Sequence, residues 1–173
     1  MIYLVRHGQT DWNLLNKFNG YTETELNQTG IEQVKLQAEQ LKEVNLDICF
    51  CSPQKRARQA GEILYKGEMM IDERLMEINC GEFEGTEETI ENMKLFWQAV
   101  KHGDKGTETL KSFMKRNCEF CNMVMQKYRG KNVLIVTHAA NARIINYYFT
   151  GQQKDYDFTK SVAKDGEILK FKN

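Results

Sequence analysis

The sequence predicts an α/β fold: a single domain over residues 1–173, with a mostly parallel central sheet flanked by helices. Three observations carry that expectation. Short apolar runs alternate with longer segments of helical periodicity, the pattern that builds parallel sheets through crossover helices. The run Val133-Leu134-Ile135-Val136 is apolar without interruption, as a central strand covered on both faces requires. A chain of 173 residues with one proline suits one core, and it contains no repeat or low-complexity tract that would mark a linker.

The elements follow in order. Residues 2–5 form a short apolar run ending in a polar, glycine-containing loop, consistent with a buried first strand. A helix is expected at about 30–43, with Ile31, Val34, Ala38, Leu41 and Val44 on one stripe. Thr29 with Glu32 offers a capping box, and Asn27 is an alternative cap. Residues 46–51 read as a second strand in which Cys49 and Cys51 share one face. Ser52-Pro53 then reads as a helix start, serine supplying the cap oxygen and proline the first helical position. That helix runs to about residue 65, with Ala57, Ala60, Ile63 and Leu64 inward. A short third strand is expected at 68–71, and helices at roughly 87–101 and 107–128. The central strand at 132–137, a helix at about 140–149 and an edge strand at 167–171 complete the chain.

Composition narrows the function. Lysine plus arginine number 24 and so do aspartate plus glutamate, which argues against a partner as strongly charged as nucleic acid. A small anion is a different matter, because its pocket needs only a few local cations. No apolar run approaches bilayer length, and Arg6 interrupts the first one at once, so neither a membrane span nor a secretion signal is expected. Five cysteines without such a signal read as reduced thiols in a cytoplasm. Cys118 and Cys121 form a lone CxxC with no second ligand pair for zinc. They fall on an apolar helical stripe with Leu110, Phe113 and Val124, so core packing is expected of both.

In open α/β sheets, ligands collect beyond the carboxyl ends of the strands. Arg6 and His7 follow the first strand, and His138 follows the central strand ahead of a helix N-terminus, a position that favours anions. Arg56 lies in the first turn of the helix leaving the second strand. Arg58 competes with it; two residues apart on a helix they point nearly opposite ways, and spacing alone does not choose. Of the three histidines only His102, in a polar stretch, reads as solvated surface. Two arginines and two histidines on one edge make a pocket for a doubly charged oxyanion.

The opening Leu4-Val5-Arg6-His7-Gly8-Gln9-Thr10, with Trp12-Asn13, resembles the signature of the histidine phosphatase superfamily, which includes the cofactor-dependent phosphoglycerate mutases. The match continues through Asn16-Lys17-Phe18-Asn19-Gly20-Tyr21, Leu26 and Gly30. It resumes at Ser52-Pro53-Gln54-Lys55-Arg56-Ala57, at Glu77 with Gly81-Glu82-Phe83-Glu84-Gly85, and at Val136-Thr137-His138. One such tripeptide would be weak; all of them in this order is specific.

The resemblance implies a phosphoglycerate mutase-like fold and a set of roles. His7 is the nucleophile that becomes phosphorylated, and Arg6, Arg56 and His138 clamp the phosphoryl oxygens with Asn13 as an additional donor. Glu77 matches the acid that protonates the leaving oxygen, with Glu82 and Glu84 as rivals in the same loop. Asn19, Gly20 and the Ala139 backbone N–H are implied substrate contacts. Neither a cofactor nor a metal is called for. The stretch between Gly85 and Thr107 lacks the paired arginines with which the mutases grip their acid substrate, so hydrolysis of a small phosphorylated molecule is expected. The alternatives are a phosphoglycerate mutase-type phosphotransferase and a catalytically silent phosphate-binding module. Phe96 and Trp97 are candidates for a lid or for the core, and Cys80 for an oxidation-sensitive thiol or, more simply, for packing; oligomeric state stays open.

The chemistry asks for these residue types. An imidazole nucleophile needs one nitrogen bare and the other holding the proton, usually against a carbonyl. Surrounding cations keep it neutral. Arginine suits the clamp because its planar fork gives two parallel bonds and keeps its charge.

Overall fold

The computed structural model describes residues 1–151 and 166–173. Its centre is a five-stranded sheet made of β1 (Ile2–Arg6), β2 (Ile48–Cys51), β3 (Met69–Ile71), β4 (Val133–Thr137) and β5 (Ile168–Phe171), in the order β3-β2-β4-β1-β5. Only β5 runs antiparallel, along the edge of β1. The other pairings are parallel, with β4 between β1 and β2. The uninterrupted apolar run is therefore the middle strand, and all five of its residues are buried.

Alternation along the strands builds two cores. Val5, Cys49, Cys51, Leu134 and Val136 pack against α2 (Gln28–Leu41) and α3 (Lys55–Leu64) through Val34, Leu41, Ala57 and Ala60. Ile2, Leu4, Phe50, Val133 and Ile135 face the other way, against α5 (Leu110–Lys127) and α6 (Ala139–Thr150) through Phe120, Cys121, Val124 and Ile145. A third cluster lies beyond the carboxyl ends of the strands. There Phe18, Phe83 and Phe96, the last from α4 (Ile90–His102), meet in tilted and edge-on contacts with ring centroids 4.9 to 5.7 Å apart. It supports the loops that carry the site.

Several boundaries differ from expectation for physical reasons. Ser52-Pro53 does not start a helix. α3 begins at Lys55 after Gln54, whose side chain makes no cap; the Ser52 hydroxyl meets His138 Nε2 at 2.8 Å and accepts from Gln54 N only at 3.4 Å. Asn27, not Thr29, caps α2, its Oδ1 accepting from Gly30 N. Thr89 caps α4, which starts three residues later than its pattern suggested. The short α1 (Asp11–Leu14) and two 3₁₀ turns, Glu73–Leu75 and Gly81–Phe83, have no counterpart in the sequence reading. Among the described residues no helix is long and apolar enough to cross a membrane.

Candidate active site

His7 leaves the end of β1 with its own N–H bonded to Thr137 O at 3.0 Å, so strand pairing carries straight into the site. Its Nδ1 lies 2.7 Å from Gly8 O. A carbonyl only accepts, so Nδ1 holds the proton and Nε2 presents a lone pair. Arg56 Nε donates to that lone pair at 3.3 Å. Burial, then the charges of Arg56 and Arg6, hold the His7 pKa well below 6.5, against a smaller raising effect of the Gly8 carbonyl. The ring is neutral and its lone pair is ready.

His138 caps the end of β4 at the start of α6 and is fully buried. Its Nε2 lies 2.8 Å from Ser52 Oγ, and its ring centroid is 5.0 Å from that of His7. Among the described residues its Nδ1 has no hydrogen-bond partner. Burial, followed by Arg56 and His7, depresses its pKa as well.

Among the described residues Arg56 is the largest fully buried side chain, whereas Arg58 is exposed. Besides His7, Arg56 bonds Thr22 O (3.0 Å), Asn19 O (3.1 Å) and Gly20 O (2.8 Å). It thus draws residues 19–22 over the pocket. Gln54 joins it, donating to Gly20 O at 2.6 Å and accepting from Glu77 N at 2.8 Å.

Glu77 stands across the site with 8% exposure. Its Oε1 accepts from Ile78 N at 2.8 Å, and its Oε2 accepts from Ala140 N at 3.2 Å, in the first turn of α6. The rival carboxylates are placed differently. Glu82 is exposed, and Glu84 accepts from Gly20 N and Tyr21 N, closing the loop.

The remaining predicted residues divide. Asn13 turns its Oδ1 to Thr10, in a capping box, so its amide hydrogens are the part left to donate. Asn19 and Ala139 line a cavity of about 100 Å³ together with Glu77, Met93, Trp97 and Arg143. Asn19 Oδ1 is buried there without a hydrogen-bond partner among the described residues. Gly20 instead has both backbone groups engaged by Glu84, Arg56 and Gln54, and a Cβ there would stand 2.5 Å from Ile78 O. Arg6 ends β1 half-buried, near enough to depress both histidines. Phe96 belongs to the third core, while Trp97 is half-buried along the cavity. Cys80 is buried, and burial pushes its thiol far above the ordinary range, which leaves it a packing residue. His102 is exposed.

Three participants escaped the sequence reading: Ser52 as the partner of His138, Gln54, and Arg116, whose Nη2 donates to Glu77 O at 2.9 Å; Glu84 enters that reading only as an acid, not as the tie on Gly20. Ser52, Gln54 and Glu84 lie within recognised motifs, but their roles depend on loops meeting in space. Arg116 has no local signal at all. Among the described residues no group of three or more His, Cys, Asp or Glu side chains could hold a metal ion.

The ensemble can hold a small dianion between arginine and imidazole donors, attack it with a neutral nitrogen, and reach the opposite side with a carboxyl group. The profile of the histidine phosphatase superfamily (branch 1) matches residues 2–162. The chain is 32% identical over 167 residues to PhoE of Bacillus subtilis, an uncharacterized phosphatase, covering 93% of this chain and 83% of that one. It is 29% identical over 157 residues to the metal-independent phosphoserine phosphatase of Arabidopsis thaliana, covering 83% and 66%. Among solved structures, phosphoserine phosphatase of Entamoeba histolytica in complex with 3-phosphoglyceric acid superposes with a TM-score of 0.80 at 27% identity, covering 96% and 87%.

Proposed function

The chain belongs to the histidine phosphatase superfamily, and we propose that it hydrolyses a small phosphomonoester, without a metal, through a phosphohistidine at His7. The single observation that carries this reading is the 2.7 Å contact of His7 Nδ1 with Gly8 O, which puts the proton on Nδ1 and leaves Nε2 unprotonated, its lone pair turned to the Arg56 guanidinium.

The substrate's phosphoryl group enters between Arg6, Arg56, Asn13 and His138. Arg56 exchanges its bond to His7 Nε2 for one to a phosphoryl oxygen, which frees the lone pair to attack phosphorus. The Ser52 hydroxyl donates to His138 Nε2, so that Nδ1–H faces the phosphoryl group as a donor. The P–O ester bond breaks as the P–N bond forms, and Glu77 passes a proton to the departing alkoxide. Water then attacks phosphorus as Glu77 takes a proton from it; the P–N bond breaks, its electron pair returns to His7 Nε2, and phosphate leaves. One well-placed preorganised donor of this kind is worth about 3 kcal/mol of the barrier.

Hydrolysis is favoured over mutase transfer by the wall facing Glu77. There α4 contributes Met93 and Trp97 to the cavity, not paired arginines. The name of the Arabidopsis relative supports independence from metal. The volume of the cavity, about 100 Å³, supports a small leaving alcohol, and Asn19 and the Ala139 N–H are its proposed contacts. A silent phosphate-binding module would not need the nucleophile, the clamp and the acid all in place.

A panel of phosphomonoesters, including O-phosphoserine, 3-phosphoglycerate and sugar phosphates, assayed for phosphate release in EDTA tests the reading. Turnover that survives EDTA and disappears in His7→Ala is expected. Phosphate binding without turnover of any ester, activity restored only by magnesium, or isomerisation of 3-phosphoglycerate without release would each contradict it.

A further inference from the structure

We propose that Arg116, braced by Glu108, is the positioning residue that sets the catalytic carboxyl in place; the inference rests on Glu77 being the general acid. Residues 76–80 belong to no helix or strand, so no regular hydrogen-bond ladder fixes the backbone that carries Glu77. The fixing comes from elsewhere. Gln54 Oε1 holds Glu77 N, and Arg116 holds Glu77 O.

Arg116 reaches this segment from the second turn of α5, and its five donor hydrogens are matched by five bonds. Nε and Nη2 fork onto Glu108 Oε1 and Oε2, both at 2.8 Å. Nη1 donates to Arg74 O at 2.6 Å and Met76 O at 2.7 Å, and Nη2 donates to Glu77 O at 2.9 Å. The guanidinium carbon lies 4.6 Å from the centre of the Phe113 ring, which confines it on one face. Two carbonyls of this irregular segment and one of the 3₁₀ turn before it converge on a single cation. Glu108 adds a second tie, its own N–H bonding Asn79 O at 3.1 Å.

This is not an exposed ion pair of little consequence. The Arg116 and Glu108 side chains are only 16% and 11% exposed, and removing the fork would leave three carbonyls without it. A displacement of about 1 Å in a reacting group can cost a hundredfold in rate. Losing the fork should therefore impair proton delivery before it impairs anything else at the site.

Two esters of similar size separate those effects. Benzyl phosphate leaves as an alkoxide that needs the proton, and p-nitrophenyl phosphate leaves as a stable phenolate that needs it little. kcat/KM covers the steps through phosphorylation of His7, so the ratio of the two values reads the acid directly. Arg116→Lys offers one ammonium in place of the fork and cannot reach Glu108 and all three carbonyls together. It should lower kcat/KM for benzyl phosphate about tenfold or more beyond any fall for p-nitrophenyl phosphate. In a Glu77→Gln background it should add no further selectivity.

Glu77→Gln alone must show the same selective loss; if it does not, the acid assignment fails, whatever Arg116 does. If Glu77→Gln is selective while Arg116→Lys lowers both esters alike or neither, Arg116 only supports the fold and the positioning role is overturned. Glu108→Gln keeps the shape and weakens the brace. Should Arg116→Lys not fold, the same ratio in Glu108→Gln decides, a selective loss supporting the role and an equal loss or none overturning it.

Discussion

Arg56 and Arg58 are two residues apart on α3, yet one is fully buried against His7 and the other lies in solvent. Arg56→Ala should cut kcat/KM by orders of magnitude, because the clamp acts in the transition state and its loss also frees residues 19–22. Arg58→Ala should change it little, and steady-state kinetics on both variants, with circular dichroism to confirm folding, checks the contrast. A second prediction follows from the two site histidines. Burial, helped by Arg56, holds both well below 6.5 in the folded protein, while the unfolded chain takes up protons near that value. Their contribution is complete above pH 6.5 and is lost as pH falls beneath it, each adding a slope of up to about 1.4 kcal/mol per pH unit. Urea unfolding at pH 7.5 and 5.5 should show that loss. His7→Gln should show a smaller loss between the same two pH values; an identical loss would mean that His7 titrates normally.

At the scale of elements, α2 sits against the loop after β1 with almost no room between the backbones. A Cβ on Gly30 would stand 2.1 Å from Gln9 O, and one on Gly8 2.2 Å from Gly30 O. Alanine ordinarily improves a helix by about 1 kcal/mol over glycine. Here Gly30→Ala should have the opposite sign, destabilising by about 2–3 kcal/mol, because backbone must move to admit the methyl group. Turnover should fall with it, since the displaced loop supplies the carbonyl that fixes the His7 tautomer. Denaturant midpoints and kcat for this one variant check both. The strands were legible to within a residue or two: 2–5 against Ile2–Arg6, 132–137 against Val133–Thr137, and 167–171 against Ile168–Phe171. A strand covered on both faces must be apolar throughout, and that leaves an unmistakable mark. Ser52-Pro53 misled because a serine hydroxyl suits a helix cap and a histidine equally well, and only the arrival of His138 decides. Arg116 left no mark because its partners include three backbone carbonyls, which every sequence has.

The molecule as a whole places its chemistry where the sheet directs it. β1 and β4 lie side by side and parallel, so His7 and His138 emerge together at one edge, and α3 brings Arg56 from the neighbouring β2. A chain with no net formal charge thereby concentrates cationic and imidazole groups at one point. The third core beneath residues 77–83 supports the acid on the far side. The central claim is that a phosphoryl group rests on His7 between substrate and water. Rapid quenching into alkali with ³²P-labelled p-nitrophenyl phosphate, followed by peptide mapping, tests it most directly. An alkali-stable, acid-labile label is expected on the peptide containing His7, absent from His7→Ala. Label on a serine, an aspartate or His138, or turnover undiminished in His7→Ala, would contradict it.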